Sequence, residues 1–306
     1  MIYRLLFVML MISYGFADLQ SHFKKAPDKA DYHRIRNIDF IYTINLDQRP
    51  EKIARCNEQL NPYGIFPYRF SAVNGWELTL EEISDVGVKF QSGMNNDQWG
   101  TFYEPQFGGE AQHEQLCQIG RTYFCHCMSR GAIGIVLSHL SILQDAYDSK
   151  YKTIWVMEDD IEVLDHPAQI SFLIDRLDAL IGEDGWDILF TDRDTKNQMG
   201  DYVVSTGFAW RPNFTPSDPD RFKKTKDLSK DFRRIFSRFG AYSMIVRRSG
   251  MKKILDHFKK NDIFLPFDMD FYQVPNIRFF TVQKDIVSTQ PRAISDNGGA
   301  FYKDKK

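Results

Sequence analysis

Three consecutive carboxylates, Glu158-Asp159-Asp160, stand directly after the apolar run Thr153-Ile154-Trp155-Val156-Met157. Like charges so placed repel one another, and a bound cation offsets that repulsion. Hard carboxylate oxygens suit magnesium or manganese, ions that also bridge to phosphate oxygens. The chemistry served by such a group is departure of a nucleoside diphosphate, with the metal neutralising the charge that builds on the leaving group. Taken alone, the triplet equally fits a solvated loop that caps the next helix. Asp192 and Asp194 follow a second apolar run, Asp187-Ile188-Leu189-Phe190, and are placed to reach an acceptor. His139 is a candidate to orient a carboxylate or touch phosphate, or else a satisfied helix histidine beneath a sheet.

Four cysteines, Cys56, Cys117, Cys125 and Cys127, permit two disulfides in an exported chain. Cys125-His126-Cys127, with His113 and Cys117 nearby, has the residue types of a zinc site. C-x-C is not the usual C-x2-C hairpin, however, and no second ligand pair follows, so disulfides or free thiols are the expectation. Asn213-Phe214-Thr215 is a glycosylation sequon, meaningful in a eukaryotic lumen.

The elements that must position these groups follow from periodicity. Phe40-Ile41-Tyr42-Thr43-Ile44 reads as a buried first strand, and Pro50 and Glu51 suit the first turn of the helix after it. Residues 68–73 read as a second strand closed by an Asn74-Gly75 turn. The glycines between 76 and 128 break the pattern and suggest long surface loops, a lid or an acceptor-facing insertion. A helix is expected over 131–147, strands over 153–157 and 187–190, and a helix between them over 170–181. Residues 192–236 read as loop-rich; a strand over 241–246, a helix from Ser249 and a last strand over 277–282 complete the pattern. Strands alternating with helices imply an α/β fold, a mostly parallel sheet flanked by helices. Ligands of such sheets sit beyond the carboxyl ends of the strands, which puts Asn45, Asp47, Glu158–Asp160 and Asp192 on one rim.

The chain's 306 residues can bury a sizeable core, and 43% apolar with 26% charged residues is a globular composition. A net charge of -2 gives no reason to expect nucleic acid or an anionic membrane as partner. At the N-terminus Arg4 precedes an apolar run over 5–16, with Gly15 and Ala17 spaced as at a signal-peptidase site. That run is about a dozen residues, short of the roughly 20 that span a bilayer. The expected organisation is a signal peptide over 1–17, a mobile linker over 18–37, a catalytic domain over 38–292 and a tail over 293–306. No transmembrane span is expected beyond the signal.

Six segments, in order, resemble glycosyltransferase family 25, the group of lipooligosaccharide (lipopolysaccharide) sugar transferases and procollagen galactosyltransferases. Ile41-Tyr42-Thr43-Ile44-Asn45-Leu46-Asp47-Gln48-Arg49-Pro50-Glu51-Lys52 is similar to the family's opening. Ser71-Ala72-Val73-Asn74-Gly75 resembles its A-V-D-G segment, with Asn for Asp, and residues 131–139 its G-x-x-G-C-x-x-S-H helix, with Ile135 for Cys. Residues 155–160 resemble its L-E-D-D strand end, 240–250 its G-x-x-A-Y-x-x-S-x-x-G segment, and Pro266-Phe267-Asp268-Met269-Asp270 its late P-x-D motif.

The resemblance implies a GT-A-like nucleotide-sugar-binding domain and an inverting, single-displacement transfer. A hexose such as galactose would move from a UDP-sugar to a hydroxyl of a glycan or hydroxylated protein acceptor, with Mn2+ or Mg2+. Carried over, it assigns Asp160 to the metal, with Glu158 and Asp159 beside it at the diphosphate. It places Asn45, Arg49 and Gly75 near the nucleotide, and makes Asp268 and Asp270 candidates for the base that accepts the acceptor's proton. After Phe190 the chain departs from the family's L-Y-L-G continuation, which bears on the acceptor. The signal and the need for nucleotide sugar suggest a secretory-pathway lumen or export, with an uncleaved anchor as an alternative. A catalytically silent sugar- or protein-binding member of the same fold is the rival reading.

Overall fold

A computed structural model describes residues 18–193, 195–196, 199, 202–203 and 207–304. The signal expected over 1–17 and the acceptor candidate Asp194 lie outside them. Among the described residues no helix is long and apolar enough to cross a membrane.

The molecule is built on an eight-stranded sheet. In chain order its strands are β1 (Phe40–Asn45), β2 (Tyr68–Ser71), β3 (Thr153–Met157), β4 (Ile188–Phe190), β5 (Thr225–Asp227), β6 (Phe232–Ile235), β7 (Ser243–Arg247) and β8 (Phe279–Val282). Across the sheet they lie β5-β6-β8-β4-β7-β3-β1-β2. β1 pairs in parallel with β2 and β3, and β4 with β8. β7 runs against both β3 and β4, and β6 against β8 and β5, so the mainly parallel sheet carries two reversed strands.

The continuous apolar runs exist because both faces are covered. Side chains alternate between two cores: Phe40, Tyr42 and Ile44 enter one and Ile41 the other, as do Ile154 and Val156 against Trp155 and Met157. Helices α3 (Arg130–Asp148), α5 (Arg248–Asn261) and α6 (Phe267–Asp270) cover the first face. Helices α1 (Pro50–Leu60) and α4 (Gln169–Ile181) cover the second, α1 through Ile53, Cys56 and Leu60 on one stripe.

Three expectations need correction. Residues 76–128 are not long loops. They hold α2 (Leu80–Val86), started by a Thr79–Glu82 capping box, and a second, antiparallel sheet. In that sheet Val88–Lys89, Thr122–Cys125, Trp99–Tyr103 and Ala111–Gln115 lie side by side. Gly93, Gly108, Gly109 and Gly120 have positive φ and make its turns, so they punctuate strands rather than abolish them. Residues 18–37 are packed, not a free linker: Leu19 and Ala26 are buried, Lys24 Nζ donates to Ala72 O at 2.7 Å, and Lys29 pairs with Asp145 at 2.9 Å. Within the stretch over 192–236, β5 and β6 extend the main sheet at its edge.

Candidate active site

β3 delivers its carboxylates to the rim where the sheet ends, and each meets a different partner. The Glu158 amide still bonds Tyr242 O of the neighbouring segment at 2.9 Å. Its Oε1 lies 3.2 Å from His139 Nε2. His139 comes from α3, is fully buried, and stacks flat on Phe267 with ring centroids 4.2 Å apart. The histidine is thus the orienter of a carboxylate. Asp159 Oδ2 accepts from Asn45 Nδ2 at 2.7 Å, and its Oδ1 is 3.6 Å from Lys52 Nζ. Asp160 Oδ1 is out of solvent with no hydrogen-bond partner. Burial, with Glu158 and Asp159 beside it, pushes the Asp160 carboxyl up to about 7.

A magnesium- or manganese-type ion fits this arrangement. No three metal-ligating side chains form a cage among the described residues. Such ions are commonly held by one or two carboxylates, with substrate phosphates and water completing the shell. An orphaned, desolvated carboxylate oxygen at Asp160 is what a cation would satisfy, and its charge would reverse the upward shift.

The triplet lines a cleft together with Asn45, Lys52, Asn74, Gly75 and Trp76. The end of β1 and residues 72–76 after β2 contribute one side and the N-terminus of α3 another. Ser129 caps α3 by accepting from Ala132 N at 3.0 Å, and Gly131 and Ile135 of its first turns reach the cleft. A helix N-terminus offers amides and a positive dipole end to an anion. The 73–75 turn is pressed onto α3 by absent side chains. A Cβ on Gly75 would lie 1.8 Å from Arg130 O, and one on Gly134 2.5 Å from Val73 O. Ser138 fixes the same turn, accepting from Val73 N at 2.8 Å.

Residues 295–297, expected to belong to a separate tail, close the cleft. Asp296 is buried and accepts from Arg49 Nη1 at 2.6 Å, with Lys52 Nζ at 3.4 Å. Trp76 Nε1 donates to Asp296 O at 2.9 Å. Arg49 therefore braces the cleft from behind, whereas Asn45, Gly75, Glu158 and Asp159 line it.

A neighbouring opening is lined by Glu158, Tyr242, Asp268 and Asn297, sharing Ile135, Glu158 and Asn297 with the first. Asp268, on α6, accepts from Gly240 N at 2.7 Å. Burial and the nearby Glu158 charge raise its carboxyl above the ordinary range. Asp270 does not share this place: it is fully buried, paired with Arg211 and 3.1 Å from His257 Nε2. Asp192 is equally enclosed by Arg238, Tyr242 and Ser288 and cannot meet an acceptor. Asp47 is on the rim but exposed, bound by Arg69 and Ser71. All four cysteines are free; Cys125 and Cys127 nevertheless approach to 2.7 Å between sulfurs. The sequon's Asn213 amide is engaged, donating to Asn261 O at 2.8 Å.

Lys52, Trp76, Asp296 and Asn297 escaped the choice of candidates. Lys52 lies in the helix turn after Arg49, where a cation facing the carboxylates is readable. For Asp296 nothing in its Ser-Asp-Asn-Gly surroundings distinguishes it from a surface turn.

An α/β protein with an acidic strand end facing a helix N-terminus across a cleft is a ligand-binding, enzyme-like arrangement at the position such sheets favour. The chain belongs to glycosyltransferase family 25 (LPS biosynthesis protein), whose model matches residues 38–271. A Drosophila melanogaster "Glycosyltransferase 25 family member" is 29% identical over 144 residues, 47% of this chain and 19% of that protein. An Aedes aegypti protein of the same description is 25% identical over 186 residues, 61% of this chain and 26% of the relative. A mouse "Inactive glycosyltransferase 25 family member 3" is 24% identical over 185 residues, 60% and 26% of the two chains. The match thus spans about a quarter or less of these relatives' length.

Proposed function

We propose that this chain is a metal-dependent, inverting hexosyltransferase with a GT-A-like fold, moving a sugar such as galactose from a UDP-sugar to a hydroxyl of a glycan or protein. The observation that carries the reading is the unpartnered, buried Asp160 oxygen in a cleft whose other groups include Lys52 and the N-terminus of α3. One side suits a cation and the other a diphosphate.

Asp160 with Glu158 would hold Mn2+ or Mg2+, and the ion supplies positive charge against the leaving diphosphate. His139 keeps Glu158 aimed, and Asn45 and Lys52 keep Asp159 aimed. The positive end of the α3 dipole, where Ser129 already caps the Ala132 amide, would favour phosphate charge. Asp268 takes the proton of the attacking hydroxyl; its raised pKa makes it a stronger base than an ordinary aspartate. Asp270 holds α6 in place through Arg211. A secretory-lumen location agrees with the apolar run over 5–16 and gives access to nucleotide sugar.

The name of the mouse relative keeps a silent binding module in play. Release of UDP from a panel of UDP-sugars by residues 18–306, with manganese or chelator, separates the two. We expect manganese-dependent release from one donor, lost in Asp160→Ala. Asp268→Asn should still bind that donor by calorimetry while transfer falls by roughly 10²–10⁴-fold. Absence of both hydrolysis and metal-dependent nucleotide binding would sink the transferase reading.

A further inference from the structure

Helix α6 borders two openings. Asp268 lines the catalytic one, and Met269, the next residue, lines a larger cleft of about 670 Å³. Its walls are the second sheet, through Gln98, Trp99 and His113, and the segment carrying Trp210. Trp99 and Trp210 are 59% and 53% exposed, although both are large apolar side chains. Two indoles opening into one cleft form a small exposed aromatic patch, and such patches commonly serve binding.

The indoles are held by what lies behind them. Arg211, next to Trp210, is buried on Asp270 and also donates to Asp262 O at 2.8 Å. Asn95 N donates to Pro212 O at 3.0 Å, joining the loop before Trp99 to the loop after Trp210. Cys125 N donates to Phe264 O at 2.8 Å, tying the second sheet to the segment that enters α6. The cleft and the candidate base therefore share one scaffold.

Two polar features point to a hydroxylated ligand. Gln98 Nε2 is out of solvent without a hydrogen-bond partner, an amide donor whose burial is offset only if something binds it. The His113 ring is fixed by a 3.1 Å bond to Thr101 Oγ1. Besides the imidazoles of His113 and His126, no lining side chain is Asp, Glu, Lys or Arg, so a lysine-type cation of a peptide would find no carboxylate there.

We propose that this cleft is the acceptor subsite and that it takes an uncharged saccharide, a pyranose ring lying on the indole faces with hydroxyls toward Gln98 and His113. The role as acceptor rests on the transferase reading above; saccharide binding itself does not. The bound sugar presents one hydroxyl to the neighbouring opening. There its proton passes to Asp268 as its oxygen bonds the donor's anomeric carbon. The bond from that carbon to the diphosphate oxygen breaks, and its electron pair leaves with the diphosphate.

The test is tryptophan fluorescence and saturation-transfer NMR on residues 18–306, without nucleotide. Lactose, cellobiose and maltotriose would be compared with a hydroxylysine-containing peptide. At least one saccharide should bind, roughly tenfold or more weakly in Trp99→Ala or Trp210→Ala, and with intermediate affinity in the Trp→Phe variants. Gln98→Ala should weaken binding too. Thermal unfolding of the same samples should match wild type, which certifies folding, and UDP-sugar hydrolysis and nucleotide binding are read alongside. Saccharide binding that both Ala variants leave intact, no saccharide binding at all, or preference for the peptide would overturn the proposal. Saccharide binding with neither donor hydrolysis nor metal-dependent nucleotide binding would leave the subsite standing and remove the transferase reading instead.

Discussion

Glu158, Asp159 and Asp160 are consecutive, yet one is held by a stacked histidine, one by an amide and a lysine, and the third keeps a buried oxygen, Oδ1, without a hydrogen-bond partner. Position along a turning backbone, not residue type, separates their roles. Asp262 shows the same dependence on environment. It ends α5 at φ 55° and ψ -173°, a positive-φ backbone outside the left-handed helical well that side chains rarely adopt. Burial, with Asp18 adding to it and Arg211 and Lys89 opposing, lifts its carboxyl from 3.8 to about 6. The folded state then holds this proton longer than the unfolded state, so ionisation opposes folding. The penalty is absent below the unfolded value, grows between about pH 4 and 6, and is constant above. Asp262→Asn keeps the size and shape of the side chain and removes the charge. Melting curves should coincide with wild type near pH 4, with the variant the more stable by pH 7; a gap independent of pH would refute the assignment.

At the scale of elements, the close approach of the 73–75 turn to α3 sets the width of the cleft. A Gly134→Ala methyl would lie 2.5 Å from backbone atoms of Val73 and Gly75, which cannot swing aside as a side chain can. Denaturant unfolding should show a loss of about 1–3 kcal/mol. Calorimetry should show weaker nucleotide binding, because the turn carries Gly75 and leads into Trp76. The elements that form this contact were legible in the sequence, since long apolar runs buried on both faces and a helix with one repeating stripe leave strong periodic signals. The second sheet was not. Its strands are short, Ala111–Gln115 is mostly exposed, and Gly100 sits inside Trp99–Tyr103 because a Cβ there would come within 2.9 Å of Leu116. The acidic triplet was readable at a strand end. Asp268 and Asp270 were indistinguishable there, because what separates them is a buried arginine 59 residues before Asp270.

At the scale of the whole molecule, the cleft is closed by a contact between its two ends. Arg49 and Asp296 are both buried, and their pair spans 247 positions. Asp296→Ala would leave the guanidinium enclosed with only Glu51, itself half-exposed, as partner. Removing one member of a buried pair typically costs about 3–5 kcal/mol. Thermal unfolding should register that loss, and nucleotide affinity should fall with it; a variant as stable as wild type would show that the pair is dispensable. The same contact sets a clock. Chains emerge from the ribosome from the N-terminus, and local units fold as they appear. β1, α1, β2 and β3 can pair early, but the cleft lacks a wall until position 296 is free of the exit tunnel. Stalled chains ending before that position should be folded in part yet unable to hold nucleotide, so the onset of binding would report that nearly all of the domain has been made.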